Sequence, residues 1–145
     1  ISLLATWKSK RRMTMYADKE YLLSIRRELH EYPEIGFELP KTLALVRREL
    51  EKIGAIYSEE YGESGIVATI NPEKAGFTIG IRADMDALYI QEINDIPFKS
   101  KIDGKMHACG HDAHTAMLLG AAKALKEIED QITCRVMLLF QHLKK

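Results

Sequence analysis

The chain has 145 residues, and its formal charges cancel, with 21 Lys and Arg against 21 Asp and Glu. Its 46% hydrophobic and 29% charged residues describe a globular chain of about one domain, which excludes wholesale disorder. Zero net charge argues against a general nucleic-acid or acidic-lipid partner, and no apolar run approaches the ~20 residues of a membrane span.

The cancellation is uneven along the chain. Lys8, Lys10, Arg11 and Arg12 crowd the start with no acid among them, and Lys144 and Lys145 close the sequence. Without these six, 15 bases face 21 acids, so the body is acidic. The first residue is Ile1, and the basic cluster follows the short apolar stretch instead of preceding it, which is the wrong order for a signal peptide. Residues 1–15 therefore read as a leader or non-native extension, with Met13 or Met15 as a natural start. Two cysteines, Cys109 and Cys134, make no disulfide framework, and the expected location is the reducing cytoplasm.

Asp18 predicts the cap of a first helix carrying Leu22, Ile25, Leu29 and Tyr32 at helical spacing, ended by Pro33. Residues 39–53 predict a second helix, with Leu39, Leu43, Val46, Leu50 and Ile53 on one stripe and Gly54 closing it. Ile66–Ile70 reads as a strand, followed by a turn at Asn71-Pro72, and Phe77–Arg82 as another strand. Residues 87–108 read as loop with short extended pieces. Residues 112–128, dense in Ala and Gly, read as a helix able to lie close against a sheet. The apolar run Val136–Phe140 predicts a strand buried on both faces. Alternating helices and strands give an α/β layer fold, whose ligands lie beyond the carboxyl ends of strands. The places to look are just after Arg82 and just after Phe140.

Asp84 and Asp86 follow the first of these strands. Two apart in extended chain, they point to one side. Such a pair can hold a metal, orient a histidine or share a proton, and it can equally be a turn or a cap. The segment Met106–His114 is richer, with His107, Cys109, His111, Asp112 and His114 in nine residues. A thiolate and an imidazole hinged by Gly110 can converge on one cation, and that donor set suits zinc and its neighbours better than magnesium or calcium. Three readings of Cys109 stand together: a metal ligand, a nucleophile paired with histidine, or a buried structural thiol. Asp112 also serves as a plain N-cap. His30, near a helix end, reads as structural, favoured there by the dipole. Cys134 reads as a small buried hydrophobe.

Three segments together, RRELHEYPEIGFELPKT (Arg26–Thr42), GIRADMDAL (Gly80–Leu88) and MHACGHDAHTAMLLGAA (Met106–Ala122), resemble the amidohydrolase branch of the aminoacylase and carboxypeptidase metallopeptidases. That branch includes hippurate hydrolase, N-acyl-L-amino acid amidohydrolase, N-acetyl-diaminopimelate deacetylase and indoleacetyl-amino-acid hydrolases. The resemblance implies an α/β fold that is the N-terminal part of a phosphorylase/hydrolase-like, di-metal aminopeptidase-type catalytic domain, spanning residues 16–141, with the lid domain absent. It implies a small N-acyl amino acid substrate, whose amide is split by metal-activated water with a glutamate base. It also implies two divalent ions (Zn, Mn, Co or Ni) per full-length site, and a homodimer formed through the lid. Carried over, Cys109 and His111 are metal ligands, and Asp86 orients a ligand histidine. Asp84 is not expected to ligate, and His107, Asp112 and His114 are supporting or structural.

Two departures stand out. Tyr89 follows Leu88 where the family has Pro. After Phe140-Gln141 the family reads Pro-x-Glu-Glu, its base and a ligand, whereas this chain reads His142-Leu143-Lys144-Lys145. Residues 142–145 are thus expected to be a non-family tail. With suitable third bases, one cytosine restored before codon 142 would read Pro-(Pro or Ser)-Glu-Glu, so a frameshift in the parent gene, natural or a sequencing error, is the expected origin, checked by reading the nucleotide sequence in the other frame. The resulting expectation is an inactive chain, with a non-catalytic role or a cysteine-nucleophile hydrolase as alternatives. Without later strands, Val136–Phe140 is expected to lie as an exposed apolar edge that lowers solubility.

Overall fold

The computed structural model describes residues 18–142, so the leader expected at 1–15 and Leu143–Lys145 lie outside the described residues. Asp18 starts α1 (Lys19–Glu31) as the spacing predicts, its carboxylate accepting from the Tyr21 N–H at 3.2 Å. Ile25 and Leu29 are its buried apolar residues. α2 (Pro40–Ile53) begins with proline, whose missing N–H costs nothing at that position. No side chain of its own N-cap residue caps it. Instead the Glu34 carboxylate, from the preceding loop, accepts from the N–H groups of Lys41 (3.0 Å) and Thr42 (2.8 Å). Gly54 ends the helix at φ 73°, the left-handed conformation that glycine adopts without steric cost.

Four strands follow: β1 (Ile56–Ser58), β2 (Gly65–Ile70), β3 (Thr78–Asp84) and β4 (Arg135–Gln141). Their order is β1-β2-β4-β3. β1/β2 and β2/β4 are antiparallel, and β3/β4 is parallel with Asp84 opposite Gln141. α3 (His111–Glu127) is the crossover between β3 and β4. The small residues of α3 permit the expected close approach, and Ala116, Leu119 and Ala122 enter the core. The helices cover one face of the sheet, burying Ile66, Ala68, Ile70, Val136, Leu138 and Phe140. Cys134 is buried with them. In residues 87–108 the expected extended pieces reduce to one bridge, Leu88 with Met106.

Two expectations about β4 are corrected. It is not buried on both faces: burial alternates along it, and Met137 and Leu139 on the other face are only half-buried. A continuous apolar run conceals that period of two. Nor is β4 the exposed edge, because it lies between β2 and β3. Among the described residues the outer strand on that side is β3, whose Ile79 and Ile81 are exposed. Its unpaired backbone edge is a template for association. Replacing Ile79 and Ile81 together by Lys is expected to raise the monomeric fraction in size-exclusion chromatography. An unchanged elution profile would place the association surface elsewhere.

Candidate metal centre

β3 runs two residues further than the sequence pattern indicates and ends on Asp84, so the carboxylate sits at the carboxyl end of the strand. Its backbone carbonyl accepts from the Thr115 hydroxyl at 3.1 Å, fastening the strand end to α3. His111 and His114, three apart, lie on one face of α3 and turn towards it. His114 Nδ1 donates to Asp84 Oδ1 at 2.6 Å, and His111 Nε2 lies 3.6 Å from Asp84 Oδ2. The two rings stack with centroids 5.7 Å apart. Burial works to raise the Asp84 carboxyl, but the His114 hydrogen bond and the His111 and Arg82 charges prevail and hold it below the ordinary carboxylate range.

Asp86 reaches the same histidine from the other side. Its backbone carbonyl is 2.7 Å from His111 Nδ1, and its carboxylate lies 3.3 Å from that nitrogen. A carbonyl can only accept, so Nδ1 of His111 carries a proton and donates it, and Nε2 faces Asp84. The pair Asp84 and Asp86 therefore brackets one imidazole, as their spacing on one side of an extended chain suggests. Ligand atoms of Asp84, His111 and His114 all lie within 4.8 Å of one another. Two imidazoles and a carboxylate form a donor set that fits a divalent transition ion. Cys109 is exposed and stands outside that group.

Behind the helix start lies a polar cluster that local patterns do not reveal. Asp112 is not the N-cap of α3. That position belongs to Gly110, at φ 107° and without a side-chain cap. The Asp112 carboxylate, wholly buried, instead faces Arg26 Nε at 2.9 Å and His30 Nδ1 at 2.7 Å. His30, 2% exposed, places its other nitrogen 3.2 Å from Glu92. It is structural, but through this cluster and not through the helix dipole. Glu92 accepts from the Ser100 N–H at 2.7 Å and from Asn94 at 3.1 Å. These partners and His30 hold it below its usual range against burial. Arg26 and His30 share a helix face at four-residue spacing, a signal that was available in the sequence. Glu92, 62 positions from His30 and inside a loop, offers none. His107 is buried beside this cluster with neither ring nitrogen partnered, and burial pushes it down to about 4.

The profile of peptidase family M20/M25/M40 matches residues 80–142. IAA-amino acid hydrolase ILR1-like 4 of Arabidopsis thaliana is 51% identical over 84% of this chain and 28% of its own length. N-acyl-L-amino acid amidohydrolase of Geobacillus stearothermophilus is 42% identical over 88% of this chain and 34% of its own length. The chain thus spans about a third of the curated relatives it matches. The crystal structure of Bacillus subtilis YXEP, a dinuclear metal-binding peptidase of the M20 family, superposes with a TM-score of 0.79 at 41% identity, covering 85% of this chain and 35% of that one. Among the described residues no helix is long and apolar enough to cross a membrane.

Proposed function

The chain belongs to peptidase family M20/M25/M40, and on that premise we propose that it is the metal-binding part of an amidohydrolase acting on N-acyl amino acids. The observation that carries this reading is the convergence of Asp84 and Asp86 on His111 where β3 meets α3. In this reading His111 and Cys109 hold a divalent ion. When bound, that ion lowers the pKa of water and polarises the scissile carbonyl. The part played by the chain's own residues is positional. Asp86 fixes the tautomer and orientation of His111 through Nδ1, which leaves Nε2 free as a donor. Thr115 and the pairing with β4 hold the strand end that carries Asp84.

A non-catalytic reading is supported by Lys144 and Lys145, which stand where the resemblance expects the base and a ligand glutamate. The deciding measurement is turnover of hippurate or an N-acetyl amino acid by the purified 145-residue chain with added Zn, Mn, Co or Ni. Metal-dependent hydrolysis, lost in a chelator, is the result expected of an amidohydrolase. No turnover by metal-loaded, folded chain leaves the non-catalytic reading. Hydrolysis that survives the chelator and disappears in Cys109→Ser would instead identify a cysteine nucleophile.

A further inference from the structure

We propose that two copies of this chain join through β3, whose free edges pair antiparallel about a two-fold axis at Gly80. The two four-stranded sheets then run on as one. The partner is a second copy of the same strand, and neither the metal centre nor hydrolysis takes part.

Three observations carry it. First, the edge is bare. β3 pairs with β4 on one side, and among the described residues no strand pairs with it on the other. Every residue of Phe77–Arg82 is exposed. The other edge strand, β1, is three residues long, whereas β3 has seven. Edges are commonly guarded by lysine, proline or a bulge. From Phe77 to Ala83 the single charge is Arg82, no proline occurs, and the register against β4 runs without a bulge. Second, the side chains divide cleanly between the two faces. Ile79, Ile81 and Ala83 lie opposite Val136, Leu138 and Phe140, on the side that the helices cover. Thr78, Gly80 and Arg82 lie on the other. α3 leaves Ile79 and Ile81 43% and 37% exposed, and its Met117, 55% exposed, borders the same groove as Ile81. Third, the strand complements itself. Ile79-Gly80-Ile81 reads alike in both directions. Paired antiparallel about Gly80, Ile79 opposes Ile81 of the second copy, Phe77 opposes Ala83, and Thr78 opposes Arg82. Apolar meets apolar and no like charges meet. A slip of one residue sets the helix-covered face of one copy beside the open face of the other.

Antiparallel pairing of identical strands obeys a two-fold axis, so every contact is made twice and the assembly closes at two chains. Both α3 helices lie on the same side, with Met117 of each beside the isoleucine ladder. Gly80 sits on the axis, and a Cβ built there meets Leu139 Cδ1 at 3.9 Å, an ordinary contact, so a larger residue fits at that position. Directly opposed residues of antiparallel strands have Cα atoms about 4.5–5.5 Å apart, within the span of a disulfide. The two Thr78 residues are four positions out of register with each other, about 13 Å along the strand.

The test is sedimentation equilibrium of the 145-residue chain over a concentration series, in a chelator so that no metal bridges two chains. The expected mass rises with concentration to twice the 16.5 kDa of one chain and stops there. Register is read by cross-linking: Gly80→Cys and Thr78→Cys, each with the exposed Cys109 replaced by Ser, are oxidised mildly and run on a non-reducing gel. Gly80→Cys is expected to give a disulfide-linked dimer, and Thr78→Cys at most about a fifth as much. Ile79→Lys with Ile81→Lys sets lysine against lysine and is expected to weaken the dimer by about tenfold or more. Circular dichroism checks that each variant folds. A mass that stays at one chain or climbs past two, no preference for Gly80→Cys over Thr78→Cys, or a dimer unchanged in the folded double-lysine variant would overturn the proposal.

Discussion

Asp112→Ala is expected to lower the free energy of unfolding by about 3–5 kcal/mol, the range for removing one partner from a buried charged cluster. The reason is the company that Asp112 keeps. Its side chain is fully buried, with Arg26 at 2.9 Å and His30 at 2.7 Å. The variant leaves His30 buried against Glu92 alone and takes from Arg26 its buried acceptor. The contrast is Arg47→Ala, which breaks the ion pair with Glu59, in which both side chains are more than a third exposed. That change should cost less than about 1 kcal/mol, because water already solvates both groups. Urea denaturation of the two variants checks the comparison, and equal losses would remove the special standing of the cluster. A double-mutant cycle between His30 and Asp112 should return a coupling of about 0.5–3 kcal/mol. Because Asp112 adjoins His111 in the first turn of α3, its loss should also loosen the helix start that presents the metal-binding histidines.

His107→Leu is expected to flatten the acid side of the stability profile. His107 is buried, and burial lowers its folded-state value to about 4 against an ordinary 6.5. Above about pH 6.5 the ring is neutral in both the folded and unfolded states, so its titration costs nothing. Between pH 6.5 and 4 the unfolded chain takes up a proton that the folded chain refuses, so stability falls as pH falls. Two and a half pH units at about 1.4 kcal/mol each set the loss at about 3 kcal/mol by pH 4. Leucine cannot titrate, so the variant should lose that part of the slope in denaturation measured from pH 7 to 4. At neutral pH it should be as stable as the parent or more so, because both ring nitrogens of His107 are buried without partners and such a group costs about 1–3 kcal/mol. An unchanged slope would show that the acid sensitivity arises elsewhere.

Much of this was legible in the residues because it is local. The caps at Asp18 and Gly54, the helical stripes and the extended runs depend on neighbours a few positions away, and the structure returns these elements within two residues. The convergence of Asp84 and Asp86 follows from strand geometry, and the family from the wording of three motifs. The short β1 left no trace, since three residues are too few to show a period. The interior place of β4 is set by which strand pairs with which, across separations no local pattern records. An apolar run states that a strand is buried, not on how many sides.

The same division governs the site. The sequence by itself determined the α/β class, the family and the short segment that supplies histidines to a cation, because those rest on composition, spacing and motif. Only the tertiary structure decided that Asp84 and His114 share a hydrogen bond across 30 positions, and that Glu92 closes on His30 across 62. It likewise decided that Asp112 is a buried acceptor and not a cap. Carboxylates and imidazoles acquire their roles from what the fold packs against them, since burial and a facing charge, not residue type, decide what they hold.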